Sequence, residues 1–290
     1  MKENNELSKF SLFPQIPAVC VTRNVECNTC ILKLKCVYSA IMESPVPENH
    51  LHSRKYKNSP HPYIIIPPLT QKRYFNPGDI LSFEFVLIGK ANEYLPYFVY
   101  TFTEMGKLGI GHHKGKFDVA SVEELRFDGS VIGIYNDNNK ILKNPDNRID
   151  YGFFVDKELN NRDEITINFE TPARIKVNDN LSTDLSFELL IKRLSERACL
   201  LAHFHCGAEL ADFEEFANGS EKIEIVNNRL EWVDWERYSS RQDTRMKFGG
   251  CIGKITYKGD LQKYLPLLKL GEYIHVGKVT TFGLGKYKIT

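Results

Sequence analysis

The sequence predicts an α+β protein of two successive domains, on three observations. The chain has 290 residues, and a domain takes about 100–200, so two domains fit and each could bury its own core. Hydrophobic residues make up 42% and aromatics 12%, a folded globular composition rather than a disordered one. Strand-like and helix-like segments run through the second half as strand, helix, strand, strand, helix, strand. A similar order with its first member missing runs through the first half.

The second half is the clearer. Glu164 to Thr171 alternates with β-branched residues and stops at Pro172, which fits a strand. Ser186 to His205 places Phe187, Leu190, Leu194, Ala198, Leu201 and His205 at helical spacing. Arg229 to Ser239 and Gly250 to Lys258 read as two further strands. Gly259-Asp260 opens a short amphipathic helix over Leu261 to Leu270, stopped by Gly271. Phe282 to Ile289 is the closing strand. The order β-α-β-β-α-β is the ferredoxin-like, or RRM-like, motif.

The first half reads α-β-β-α-β. Cys27 to Met42 spaces Ile31, Leu34, Tyr38 and Ile41 as one helical face. His61 to Leu69 and Ile80 to Ile88 are strands on either side of the Pro77-Gly78-Asp79 turn. Ala91 to Met105 is an aromatic-rich helix with Pro96 near its start. Lys116 to Leu125 and Gly129 to Tyr135 form a strand and a hairpin partner, and Tyr151 to Asp156 is a further strand. Phe10 to Phe13 is too short for the missing first strand, and Pro14 and Pro17 interrupt that region. The polar segment Asn136 to Ile149 is a loop. The boundary is set at residue 160, giving domains 1–160 and 161–290.

No run of about 18 apolar residues exists, so no transmembrane helix and no membrane partner are expected. The polar N-terminus lacks the apolar core of a signal peptide. Seven cysteines is an odd number. Together these favour a reducing cytoplasm, with thiolate or metal chemistry rather than disulfides. Cys20, Cys27, Cys30 and Cys36 have a spacing compatible with four thiolates around a structural zinc or an iron–sulfur cluster. The plainer alternative is free thiols on a helix face. Four cysteine ligands would leave no open coordination position, which argues against a metal-dependent enzyme at this cluster.

The formal net charge of +1 conceals an asymmetry. Arg237 to Thr290 holds 11 Lys and Arg against 3 Asp and Glu, whereas His203 to Glu236 holds 2 against 9. Within the basic end lies Gly271 to Lys286, where His275, Gly277, Lys278, Gly283, Gly285 and Lys286 fall together. Glycines let backbone approach a ligand and expose N–H groups to an anion. Lysines add point charges for phosphate. A tight turn with a bulged edge strand is the structural alternative. Aromatic residues in this segment, Tyr238, Tyr257 and Tyr287, offer base-stacking surfaces or core.

Gly249-Gly250-x-x-Gly253, the short helix Lys263 to Leu270 and the run His275 to Ile289 resemble the C-terminal signature of a CRISPR-associated family. These are the RAMP-superfamily endoribonucleases that process precursor CRISPR RNA. Trp232 to Gln242, Leu87 to Phe98, Gly109-Ile-Gly111, His61-Pro62-Tyr63 and the cysteine cluster followed by Tyr38 are also similar to it. The resemblance implies tandem ferredoxin-like domains and cleavage without a catalytic cofactor. The ribose 2′-OH attacks the adjacent phosphate, giving a 2′,3′-cyclic phosphate and a 5′-OH. It implies precursor CRISPR RNA as partner, with other CRISPR effector subunits beside it. Histidine suits the proton transfers. In many members the catalytic histidine lies near the end of the first helix, a region that here holds His50 and His52. These are the first catalytic candidates, with a polar loop as the alternative, and His61 is the third. His275 is read as an RNA-positioning or second catalytic residue, and Arg241 as an RNA contact. His112 and His113 suit a phosphate contact or an exposed turn, and His203 and His205 a helix C-terminal cap. Members usually begin with a strand before the cysteine cluster, which this chain lacks. A non-catalytic RNA-holding subunit is therefore the competing expectation.

Overall fold

The computed structural model describes residues 27–290 apart from 28, 47–53, 55, 57, 69, 71, 73, 112, 157–161, 178, 179, 182, 235 and 240–243. In the second half, β5 (Glu164–Ala173) buries alternate residues, among them Ile165, Ile167 and Phe169. After the short pair β6 (Lys176–Val177) and β7 (Asn180–Leu181) comes α3 (Phe187–Cys206). Its N-cap is Ser186, whose Oγ accepts from Leu189 N at 3.3 Å. Leu190, Ile191, Leu194 and Leu201 form its buried stripe. β8 (Glu224–Val233) extends through the hairpin β9 (Glu236–Ser239) and β10 (Thr244–Lys247) and returns as β11 (Gly250–Lys258). Then come α4 (Leu265–Ile274), with Pro266 in its first turn, and β12 (Tyr287–Ile289).

These strands form one antiparallel sheet in the order β12-β5-β11-β8. The first strand lies between the last and the third, and the second takes the edge, which is the ferredoxin-like arrangement. The helices cover one face. Ile165, Ile167, Leu190, Leu194, Ile255, Leu268 and Tyr287 make the core. Two tyrosines enter it with their hydroxyls bonded: Tyr257 Oη donates to Leu185 O at 2.8 Å and Tyr287 Oη to Leu268 O at 2.7 Å.

In the first half, β1 (Tyr63–Ile66) pairs antiparallel with β2 (Glu84–Leu87). Helix α1 (Leu95–Leu108) packs Phe98, Phe102 and Met105 on Tyr63, Ile65 and Phe85. β3 (Ser121–Leu125) and β4 (Val131–Asn136) form a separate hairpin. No helix among the described residues is long and apolar enough to cross a membrane.

Four expectations are corrected. Cys27 to Met42 is not one helix but a run of turns leading to a π-helical turn, Ser39–Glu43. The first part of its supposed apolar face is open, with Ile31 95% and Leu34 63% exposed while Ile41 is buried, so no packing extends a helix back over those residues. Tyr151–Asp156 is a short helix, α2, rather than a strand. Asp150 Oδ1 accepts from Phe153 N at 2.9 Å, an N-capping contact, while Phe154 is fully buried. The closing strand starts at Tyr287, because Gly283 and Gly285 take left-handed backbone angles that a strand does not allow. The strand foreseen from Lys116 begins at Ser121. The boundary set at residue 160 lies outside the described residues.

Gly271 in α4 marks the tightest approach between a helix and the sheet. A Cβ there would collide with Tyr287 Oη and lie 2.8 Å from Leu194 Cδ2. Gly271→Ala should therefore destabilise the fold by about 1–3 kcal/mol, as overpacked cores do, measured by urea unfolding. Adding Tyr287→Phe removes the colliding hydroxyl and should restore part of the loss. A double variant no more stable than Gly271→Ala would show that the clash is not the cause.

Candidate active site and nucleic-acid interface

The glycine-rich segment after α4 is folded inward on protein. A Cβ on Gly283 would stand 2.9 Å from Ile65 O and 3.1 Å from Ile66 Cα, so this turn lies directly on β1 of the first half. A Cβ on Gly285 would strike Val276 O, and one on Gly277 would stand 2.6 Å from Arg174 O. The segment's backbone is bonded to its neighbours: Lys278 N donates to Arg174 O at 2.9 Å and Gly285 N to Pro172 O at 3.0 Å. Lys286 reaches two carboxylates, Glu84 at 3.5 Å and Glu170 at 3.7 Å. Lys278 is exposed. Arg241 lies outside the described residues.

Sequence reasoning missed Arg174, at the end of β5. Its Nη1 donates to Gly249 O at 2.5 Å, and its guanidinium carbon lies 6.0 Å from the centre of the Phe248 ring. Phe248 in turn stacks with Phe282 of the glycine-rich segment. The signal for this residue is spatial, since its partners are distant in sequence.

The histidines divide. His50 and His52, the first catalytic candidates, and His112 lie outside the described residues. His113 is exposed. His203 Nδ1 lies 2.9 Å from Ala208 O, a contact at the helix end as expected. His205 goes further than a cap. Its Nε2 lies 2.7 Å from Pro60 O and 3.3 Å from Ser59 Oγ, tying α3 to the entry of β1.

His61 is half-buried beside that junction and tilts against the Tyr63 ring. Its Nδ1 lies 3.1 Å from Ser44 Oγ, which also lies 3.1 Å from Ala40 O and Ile41 O. When the single Ser44 proton goes to those carbonyls, Nδ1 of His61 is the donor and Nε2 keeps the lone pair. Burial holds the His61 pKa below its ordinary value, and Glu43 opposes the shift.

His275 is turned into the protein. It is 0% exposed, with left-handed φ of 60°, and its Nδ1 lies 3.1 Å from Leu284 O. Its Nε2 has no hydrogen-bond partner. The side chain therefore anchors the loop from within. Nearby, Arg197 Nε donates to Ile274 O at 2.8 Å, and burial of the guanidinium lowers its pKa to about 10.

Cys27, Cys30 and Cys36 are half-buried on the turns before the π-helical turn, and Cys20 lies outside the described residues. Among the described residues no three His, Cys, Asp or Glu side chains gather closely enough to hold a metal ion. The described cysteines alone do not form the tetrahedral set expected for zinc or an iron–sulfur cluster.

Burial lowers the pKa of His275 to about 3, against about 6.5 in the unfolded chain. Below pH 6.5 the unfolded chain takes up a proton that the folded chain refuses. Stability therefore falls as pH drops from about 6.5 towards 3. His61 and His205, also lowered by burial, act in the same direction. Between neutral pH and pH 5 the His275 contribution to this loss should reach about 2 kcal/mol. Urea midpoints at a series of pH values would show it. The curve for His275→Gln should be flatter, and parallel curves would exclude His275 as the source.

Residues 16–147 match a family model described as an N-terminal domain, and residues 167–287 match that of the CRISPR-associated endoribonuclease Cas6. The chain is 24% identical over 282 residues to an uncharacterized protein of Archaeoglobus fulgidus, covering 94% of this chain and 86% of that one. It is similar to the product complex of a Thermus thermophilus Cas6, with 17% identity, a TM-score of 0.50, and coverage of 82% of this chain and 85% of that chain. A partial Cas6-RT-Cas1–Cas2 complex is similar at 18% identity and a TM-score of 0.50, over 79% of this chain and 38% of that one. Over another Cas6 product complex the chain spans 57% of that chain's length. At these identities the solved structures speak to the fold, which is the tandem ferredoxin-like one. Through residues 167–287, where its sheet has the ferredoxin-like strand order, the chain is similar to the CRISPR-associated endoribonucleases Cas6.

Proposed function

We propose that this protein cuts precursor CRISPR RNA within its repeats, by metal-independent attack of a ribose 2′-OH on the adjacent phosphate. The match of residues 167–287 to the Cas6 endoribonuclease model carries this reading. In the reaction the 2′-oxygen forms a bond to phosphorus and the bond from phosphorus to the 5′-oxygen breaks. A base takes the 2′ proton, and an acid gives a proton to the leaving 5′-oxygen. The products are a 2′,3′-cyclic phosphate and a 5′-OH, with no water consumed.

His61 has the features of the base. Ser44 orients its ring, and burial favours the neutral form at neutral pH. The acid falls to another group, and His50 and His52 remain the candidates for it. Exposed Lys278 is placed to meet phosphate charge, whereas Lys286 is already met by Glu84 and Glu170. The similar solved structures are described as complexes with a product and with RT-Cas1–Cas2. By likeness we assign this chain an RNA substrate and other CRISPR proteins as partners. The second reading, a non-catalytic RNA-holding subunit, has one observation in its favour: His275 and His205 are both buried.

The test mixes the purified protein with a labelled CRISPR repeat RNA of its source organism in EDTA. A second RNA carries deoxyribose at the cut site. Cleavage of the ribose RNA alone is expected. Replacing the acid or base with alanine should slow it by about 10²–10⁴-fold, so His61→Ala, His50→Ala and His52→Ala are compared in single turnover. Tight binding without cleavage would establish the holding subunit instead. Cleavage that EDTA abolishes would overturn metal independence.

A further inference from the structure

The end of α3 is seated closely on the first half of the chain. A Cβ on Gly89 would collide with His205 O, so the helix end lies directly on the 3-10 turn Gly89–Tyr94 that follows β2. Tyr56 sets its ring edge-on to Phe204, with centroids 6.3 Å apart. At this junction His205, Ser59 and Ser44 are all buried. Buried polar groups need hydrogen-bond partners, and theirs are one another.

The directions of these bonds are fixed by what each group can do. Pro60 O can only accept, so His205 Nε2, 2.7 Å from it, carries a proton. That nitrogen then has no lone pair for the Ser59 hydroxyl, 3.3 Å away. The Ser59 proton goes instead to Ser44 O at 3.1 Å, and Ser59 N donates to the same carbonyl at 2.9 Å. Pro45 and Asn58 form an antiparallel bridge beside this contact. Ser44 depends on such support. It is a non-glycine residue with φ of +42°, a left-handed conformation that is held only where the surroundings enforce it. Held there, its Oγ stands 3.1 Å from Ala40 O, from Ile41 O and from Nδ1 of His61. The two carbonyls take the single Ser44 proton, and the oxygen is left to accept from Nδ1.

We infer that His205 and Ser59 are positioning residues for His61: acting through Ser44, they hold its ring in the Nδ1–H tautomer and leave the Nε2 lone pair free. The role rests on the reading of His61 as the base. A ring in the other tautomer presents an N–H at Nε2 and cannot take the 2′ proton there. Because His205 lies at the end of α3 and His61 before β1, the tautomer of the candidate base is set from the second half of the chain.

Imidazole nitrogen shifts of histidine-labelled protein, assigned through His61→Ala, report the tautomer directly. The unaltered protein should show the Nδ1–H form of His61 at neutral pH. Ser44→Ala, Ser59→Ala and His205→Leu should move it toward the Nε2–H form. His205→Gln, which keeps an N–H donor where Nε2 stood, should retain the original form. In single turnover on repeat RNA the three disrupting variants should lose saturating rate by about tenfold or more, short of the 10²–10⁴-fold expected of losing the base itself. Their RNA affinity should be unchanged, and His205→Gln should keep most of the rate. An Nε2–H ring at His61 in the unaltered protein overturns the inference, as does an unmoved tautomer in Ser59→Ala and His205→Leu. Equal losses in His205→Gln and His205→Leu would show a packing role alone and overturn it too. So would a moved tautomer with an unchanged rate, where His61→Ala is inactive. No cleavage by the unaltered protein, or full cleavage by His61→Ala, refutes the base reading instead, and the nitrogen shifts still decide whether His205 and Ser59 set the tautomer.

Discussion

The two halves of the chain meet where the segment after α4 is pressed onto β1, and the absence of a side chain at Gly283 makes that contact possible. With no Cβ, the Gly283 turn sits on the carbonyl of Ile65, while Gly285 sits on that of Val276. Around this contact the polar anchors collect: His275 bonded to Leu284 O, His205 to Pro60 O and Lys286 between Glu84 and Glu170. A residue larger than glycine at 283 would push β1 away. The half-buried His61, three residues before the middle of that strand, would move with it. The same close packing that joins the halves thus also fixes the candidate base.

This changes what the basic C-terminus means. Its cations are not one undivided patch. Lys269 is held by Glu272, Lys286 by Glu84 and Glu170, and Lys258 is flanked by Glu164 and Glu224 in register. A salt-bridged lysine on a surface adds little stability, but its charge is no longer free to attract phosphate. Lys278 differs: it is exposed, and its side chain has no ion pair among the described residues. Net charge per segment overstates the attraction, and register decides which cations remain.

The second domain was largely legible because its elements are governed by short-range periodicity. Ile165, Ile167 and Phe169 announce a strand with one buried face, and Leu190, Leu194 and Leu201 announce a helix. Gly250–Lys258 has the foreseen limits. Periodicity failed where nothing covers the face it marks, as at Ile31 and Leu34, and where a single capping contact overrides it, as at Asp150 and Phe153. The site was less legible. Glycines at 277, 283 and 285 read equally as a phosphate cradle or as close packing, and only the identity of the neighbouring backbone separates the two. Arg229 and Lys254 are 25 residues apart in the sequence. Their opposition depends on strand order and on the register in which β11 returns along β8, neither of which a spacing rule supplies.

The distribution of histidines also constrains the chemistry. Burial lowers the pKa of each of His61, His205 and His275, so each favours the neutral form at neutral pH. A neutral imidazole can accept the 2′ proton without first losing one. It is poorly prepared to donate a proton to the leaving 5′-oxygen. Cleavage by this chain therefore needs the acid from a group in a more polar setting or from a histidine near carboxylates or phosphates, which stabilise its charged form. The RNA phosphate itself is such a neighbour. Its approach would raise the pKa of an exposed histidine more than that of a buried one, and so would separate acid from base only once the substrate is bound.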